Sequence, residues 1–82
     1  RKEITMRDVT INVEPVELYK ILKFEGLAGS GAEAKAVIAE GQVTLNGVVE
    51  TQKRKKIVGG DIIAFGAETL HIVYVDKIVG AG

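Results

Sequence analysis

Apolar residues change from helical to alternating spacing at Gly41, and no other feature of this chain narrows the fold as far. Ahead of it, Leu18, Ile21 and Leu22, and then Ala34, Val37 and Ile38, recur at the spacing of one helix face. Beyond it, Val43 and Leu45 alternate with Gln42 and Thr44, and Leu70, Ile72 and Tyr74 with His71, Val73 and Val75, the period of half-buried strands. A shorter alternation precedes both. Val9, Ile11 and Val13 against Thr10, Asn12 and Glu14 read as a strand or an extended arm, with residues 1–8 more polar and loosely held. Helices followed by strands, rather than interleaved with them, predict an α+β domain.

Local punctuation sets the boundaries. Pro15 suits the first position of a helix, where its missing N–H is no loss. Gly26 suits the left-handed residue that ends one, so the first helix is expected over residues 15–25. Ser30-Gly31-Ala32-Glu33 is a capping box: the Ser30 hydroxyl accepts the Glu33 N–H, and the Glu33 carboxylate reaches back to the Ser30 N–H. Gly41 closes this second helix, and alanines at 32, 34, 36 and 39 allow close approach by a neighbour. Only about four residues join the helices, which makes them spatial neighbours. Asn46-Gly47 supplies the positive-φ pair of a type I′ hairpin turn, with Val48 and Val49 beginning the return strand. Residues 51–56 are polar and basic and read as a loop. Gly59-Gly60-Asp61 is a second turn, a strand runs from Ile62 to Phe65, and Gly66-Ala67-Glu68 turns again. The expectation is two packed short helices against a small antiparallel sheet of about three to four strands. Residues 1–14 form an arm or strand, 15–76 the single domain and 77–82 a tail.

Composition excludes most chemistry. The chain has 82 residues, room for one core, and with two Tyr, two Phe and no Trp that core is aliphatic. The absence of Cys removes disulfide scaffolds, Cys-based zinc sites and thiol catalysis. Ser30 is the only serine and His71 the only histidine, the first accounted for by the helix cap and the second by an apolar strand alternation. Carboxylates are scattered singly, so no paired acid and base can be argued. The glycines at 26, 29 and 31 lack phosphate-loop spacing. No enzyme, cofactor, metal or small-molecule substrate is expected. No apolar run approaches the roughly 20 residues that span a bilayer. Arg1-Lys2-Glu3-Ile4-Thr5 carries no secretory signal, so a cytoplasmic protein without membrane contact is expected.

Eleven Lys and Arg balance eleven Asp and Glu, which removes a protein-wide basic field. The charges are unevenly placed, however. Lys53, Arg54, Lys55 and Lys56 put four cations in one loop, while residues 14–40 hold five acids against three lysines. Backbone phosphates reward such a cluster, because each contact releases condensed counterions. Lys35 and Lys23 extend the patch, and Gln42 and Gln52 offer hydrogen bonds to sugar or base edges. The acidic residues, Glu17 among them, would then have to lie elsewhere, at least in part. Phe24, Phe65, Tyr19 and Tyr74 do not make the spaced set of a base-stacking sheet, so phosphate and shape recognition of structured RNA is the expected mode. The plain alternative is a solubilising loop.

The ordered set Leu18, Leu22, Gly26-Leu27, Ser30, Ala34, Lys35, Ile38, Gly41, Val43, Asn46-Gly47, Gly60-Asp61 and Ile63 resembles the S-four RNA-binding domain, or αL motif. Leu22-Lys23-Phe24-Glu25-Gly26, Ser30-Gly31-Ala32-Glu33-Ala34-Lys35, Ala39-Glu40-Gly41-Gln42-Val43 and Val49-Glu50-Thr51-Gln52-Lys53-Arg54 look more specifically like the small stand-alone bacterial YbcJ-like family. A monomer is expected, and the resemblance implies an S-four-like αL fold and a non-catalytic RNA-binding module. It also implies ribosomal or transfer RNA as partner, in translation or on the ribosome. The broader domain often carries Arg where this chain has Glu17 and Gly31, so the positive centre is expected to shift toward residues 53–56. Two other readings compete. Residues 60–65 and the closing Gly80-Ala81-Gly82 suggest a ubiquitin-like β-grasp sulfur carrier, although such carriers end in Gly-Gly and place their helix after a hairpin. The basic loop would also serve a protein–protein adaptor with an acidic partner.

Overall fold

The computed structural model describes residues 5–75. Its elements run β1 (Thr5–Ile11), β2 (Val16–Glu17), α1 (Leu18–Phe24), α2 (Gly31–Ala39), β3 (Val43–Leu45), β4 (Val48–Val49), β5 (Lys56–Ile57), β6 (Ile62–Phe65) and β7 (Glu68–Tyr74). The α+β class holds, with two short helices packed on a sheet. That sheet has five strands in the order β1-β7-β6-β3-β4, and β2 with β5 makes a separate two-stranded ribbon.

The extra strand comes from the polar start of the chain, and it pairs parallel rather than antiparallel. β1 runs beside β7 with Val9 opposite Ile72 and Ile11 opposite Tyr74. Residues 5–8 therefore belong to the sheet instead of hanging loosely. Arg7 reaches from β1 to the end of α1, donating to the Glu25 carbonyl at 3.0 Å, one of the acceptors a helix C-terminus leaves open. The tail at 77–82 lies outside the described residues.

α1 begins three residues later than Pro15 suggests. Val16 and Glu17 pair antiparallel with Ile57 and Lys56, which holds their backbone extended and starts the helix at Leu18. Both helices then end as expected, on glycines with φ of +77° and +80°. Leu27 N–H reaches the Leu22 carbonyl and Gly26 N–H that of Lys23; Gln42 and Gly41 do the same to Val37 and Ile38. Each is a Schellman closure, which only a left-handed C′ residue permits. At the start of α2, Ser30 Oγ accepts the Glu33 N–H at 3.1 Å. The return bond differs from expectation, because Glu33 Oε1 accepts from Gly29 N–H at 3.0 Å rather than from Ser30.

Leu18, Ile21 and Leu22 of α1 and Ala34 and Ile38 of α2 meet Val9, Val43, Ile57, Ile63, Leu70 and Ile72 in one core, with Val37 and Leu27 at its margin. Burying each large aliphatic side chain contributes about 1.5–3 kcal/mol. Tyr74 departs from the strand alternation and remains 43% exposed. It stands against Gly59, where an added Cβ would come within 2.8 Å of the tyrosine Cβ. Asn46 and Gly47 have φ of 54° and 86°, the positive pair the hairpin requires. The Asn46 amide donates to Asp61 Oδ1 at 3.1 Å and its carbonyl accepts the Ile62 N–H at 2.9 Å. Asp61 also accepts the Val58 N–H at 3.0 Å, so the Asn-Gly and Gly-Asp turns form one bonded unit.

Candidate functional site

α1 has no side-chain cap, and what replaces it positions the basic run. The open donors of a helix start must find acceptors. Here Leu18 N–H donates to the Lys55 carbonyl at 2.9 Å and Tyr19 N–H to the Lys53 carbonyl at 3.1 Å. Residues 52–55 are closed into a turn by the Lys55 N–H on the Gln52 carbonyl, and the fully buried Ile57 anchors the chain that follows. The loop is thus fixed by its main chain, while the side chains of Lys53, Arg54 and Lys56 point to solvent.

Tyr19 gathers cations from two distant segments. Lys35 of α2 lies over its ring at 4.6 Å from the centroid, and the Arg54 guanidinium lies at 5.3 Å. Both distances fall within the roughly 6 Å reach of a cation–π contact. Lys23, one turn along α1, extends the group and sits 5.8 Å from the Phe24 centroid. Gly31 lies beside them: a Cβ there would start 3.7 Å from the Tyr19 ring and 4.0 Å from the Lys23 stem. The structure therefore brings together Lys23, Lys35 and Arg54, with the Lys53 backbone at the same helix start.

The remaining expected residues are placed differently. Lys56 projects on the other side of α1, where it lines a groove of about 460 Å³ with Glu17, Lys20 and Phe24. Lys55 is half-buried. Gln52 is exposed beside the turn, and its N–H is held by Glu50 at 3.0 Å. Gln42 follows the far end of α2 from Gly31, and its amide is hydrogen-bonded to Glu40. One expectation fails. Glu17 does not lie away from the cations but among them, with Oε1 at 3.1 Å from Arg54 Nη1 and 3.6 Å from Lys20 Nζ. Tyr19 and Lys20 are the residues that sequence reasoning passed over. Tyr19 was legible only as one aromatic on a helix, four residues before Lys23, because the two cations over its ring come from distant segments.

Among the described residues, no group of three or more His, Asp and Glu side chains could hold a metal ion, and no helix is long and apolar enough to cross a membrane. Residues 9–73 match the S4 domain family. YbcJ of Escherichia coli (strain K12) is 52% identical over 58 residues, covering 71% of this chain and 83% of that protein. YbcJ of Shigella flexneri shows the same identity and coverage. The solution structure of E. coli YbcJ, described for an αL motif involved in RNA-binding, superposes with a TM-score of 0.61 at 42% identity, over 88% of this chain and 90% of that one.

Proposed function

This chain belongs to the S4 domain family, and from that premise we propose that it binds structured RNA through the cations gathered at the start of α1. The observation that carries the reading is the convergence of Lys35 and Arg54 on Tyr19. Side chains from α2 and from the loop before β5 meet at one ring, so the charges are concentrated although the protein is neutral overall. The αL motif described for E. coli YbcJ supports RNA as the partner.

In this reading Lys23, Lys35, Lys53 and Arg54 contact backbone phosphates, and Lys55 and Lys56 extend the footprint toward the β2–β5 ribbon. Gln42 and Gln52 act at its edge, where Gln42 exchanges its bond to Glu40 for one to RNA. The protein is a binding module without catalysis, a monomer in the cytoplasm, acting on ribosomal or transfer RNA in translation. The sulfur-carrier alternative is set aside, because the family lies elsewhere and two helices precede the hairpin.

Titration with a structured RNA at several salt concentrations tests the proposal. Neutralising about four to six phosphates gives a log–log salt slope of about −3 to −5. Replacing Lys53, Arg54, Lys55 and Lys56 with Ala weakens binding and flattens that slope. Unchanged affinity clears the loop of the role, and binding to an acidic protein but not to RNA favours the adaptor. Crosslinking with sequencing of the bound RNA identifies the target.

A further inference from the structure

Resting on the RNA-binding reading, we propose that Glu17 determines the affinity and selectivity of the site as an internal stand-in for phosphate, displaced when RNA engages Arg54 and Lys20. A single oxygen, Glu17 Oε1, is shared by Arg54 Nη1 at 3.1 Å and Lys20 Nζ at 3.6 Å. A third cation, Lys56, is the cross-strand partner of Glu17 in the β2–β5 ribbon. Cations from a helix and a turn thus meet at one anionic group, with a strand lysine opposite it in register, an arrangement suited to charge-assisted recognition of phosphate.

Glu17 has little structural task to explain its position. It sits at the N-cap of α1 yet makes no capping bond, and the helix donors Leu18 N–H and Tyr19 N–H are satisfied by loop carbonyls. The ion pairs are also open to solvent: the Glu17 side chain is 29% exposed, Lys20 47% and Arg54 60%. Exposed pairs of this kind change an equilibrium by no more than about fivefold, weak enough for a polyanion to break. A lone phosphate gains little by replacing a carboxylate already in place. A fold that presents several phosphates together to Lys20, Lys35, Arg54 and Lys56 gains counterion release at each, so Glu17 selects for clustered phosphates.

The test compares wild type, Glu17→Gln, Arg54→Ala, the double variant and Lys35→Ala. Each is titrated with an RNA hairpin and with an unstructured uridine oligomer of equal length at several salt concentrations, alongside melting temperatures. Glu17→Gln is expected to tighten hairpin binding about two- to fivefold at low salt. The preference for hairpin over uridine oligomer narrows, and the gain disappears in the Arg54→Ala background. Unchanged or weaker binding by Glu17→Gln overturns the proposal and leaves Glu17 as a tether for the loop. A full gain without Arg54 also overturns it, in favour of a general charge effect. Failure of the RNA reading itself looks different: wild type and Lys35→Ala then show no binding at any salt.

Discussion

The two helices of this protein end alike and begin differently. Both close on a positive-φ glycine with the same pair of backbone bonds. α2 opens on its own capping serine, three residues ahead of the Glu33 whose N–H it accepts. α1 opens on carbonyls of Lys53 and Lys55, far down the chain. A helix start written locally is independent of the rest of the fold, whereas one written at a distance ties two segments together. In this molecule the distant solution is the one that builds the candidate site. Residues 53–55 cannot leave α1 without opening its first turn, and α1 cannot shift without moving Tyr19 away from Lys35 and Arg54.

The largest test of that contrast is Ile57→Ala. Ile57 is fully buried and anchors the strand behind the loop, so its truncation is expected to cost about 2–5 kcal/mol. At about 4–8 °C per kcal/mol for a domain of this size, melting falls by about 10 °C or more. Amide exchange at Leu18 and Tyr19 accelerates more than at Glu33. Equal protection losses at both helix starts would break the comparison.

The two C-terminal closures sharpen it from the other side. Gly26 has open space around the position of a Cβ, and Gly41 only an ordinary contact at 3.7 Å to Val49. Gly26→Ala and Gly41→Ala therefore differ little, each costing about 1–2 kcal/mol from the left-handed backbone alone. Denaturant midpoints that fall by clearly unequal amounts would show that one closure carries something besides φ.

The smallest stability effects separate cap from site. Ser30→Ala removes a local cap and costs about 1 kcal/mol while RNA affinity stays unchanged. Arg54→Ala removes an exposed ion pair and a contact with the Tyr19 ring, each worth at most about 1 kcal/mol, yet weakens binding and lowers the magnitude of the salt slope by about 0.7–0.9. Melting curves paired with RNA titrations give both readouts. A binding loss in Ser30→Ala equal to that in Arg54→Ala would merge the two roles.

Much of the fold was legible from spacing and punctuation. The helix stripes at Leu18, Ile21, Leu22, Ala34 and Ile38, both terminal glycines, the Ser30 cap and the Asn46-Gly47 turn all follow from short-range geometry. β1 was partly hidden because Met6, Arg7 and Asp8 carry no apolar alternation; parallel pairing with β7 draws them into the sheet. Pro15 misled because a two-residue ribbon, invisible to any periodicity, holds Val16 and Glu17 extended. The basic loop itself was evident, but its attachment to α1 was not.

The sequence alone determined which segments become helix or strand and where most of them stop, because backbone sterics and neighbouring side chains act over a few residues. It also determined that four cations follow one another in a neutral chain. The tertiary structure decided where those cations point, which of them meet over Tyr19, and that Glu17 stands in their midst. Those contacts join residues far apart in the chain, and only the burial of a shared core brings such groups within the few ångströms over which charges and rings interact.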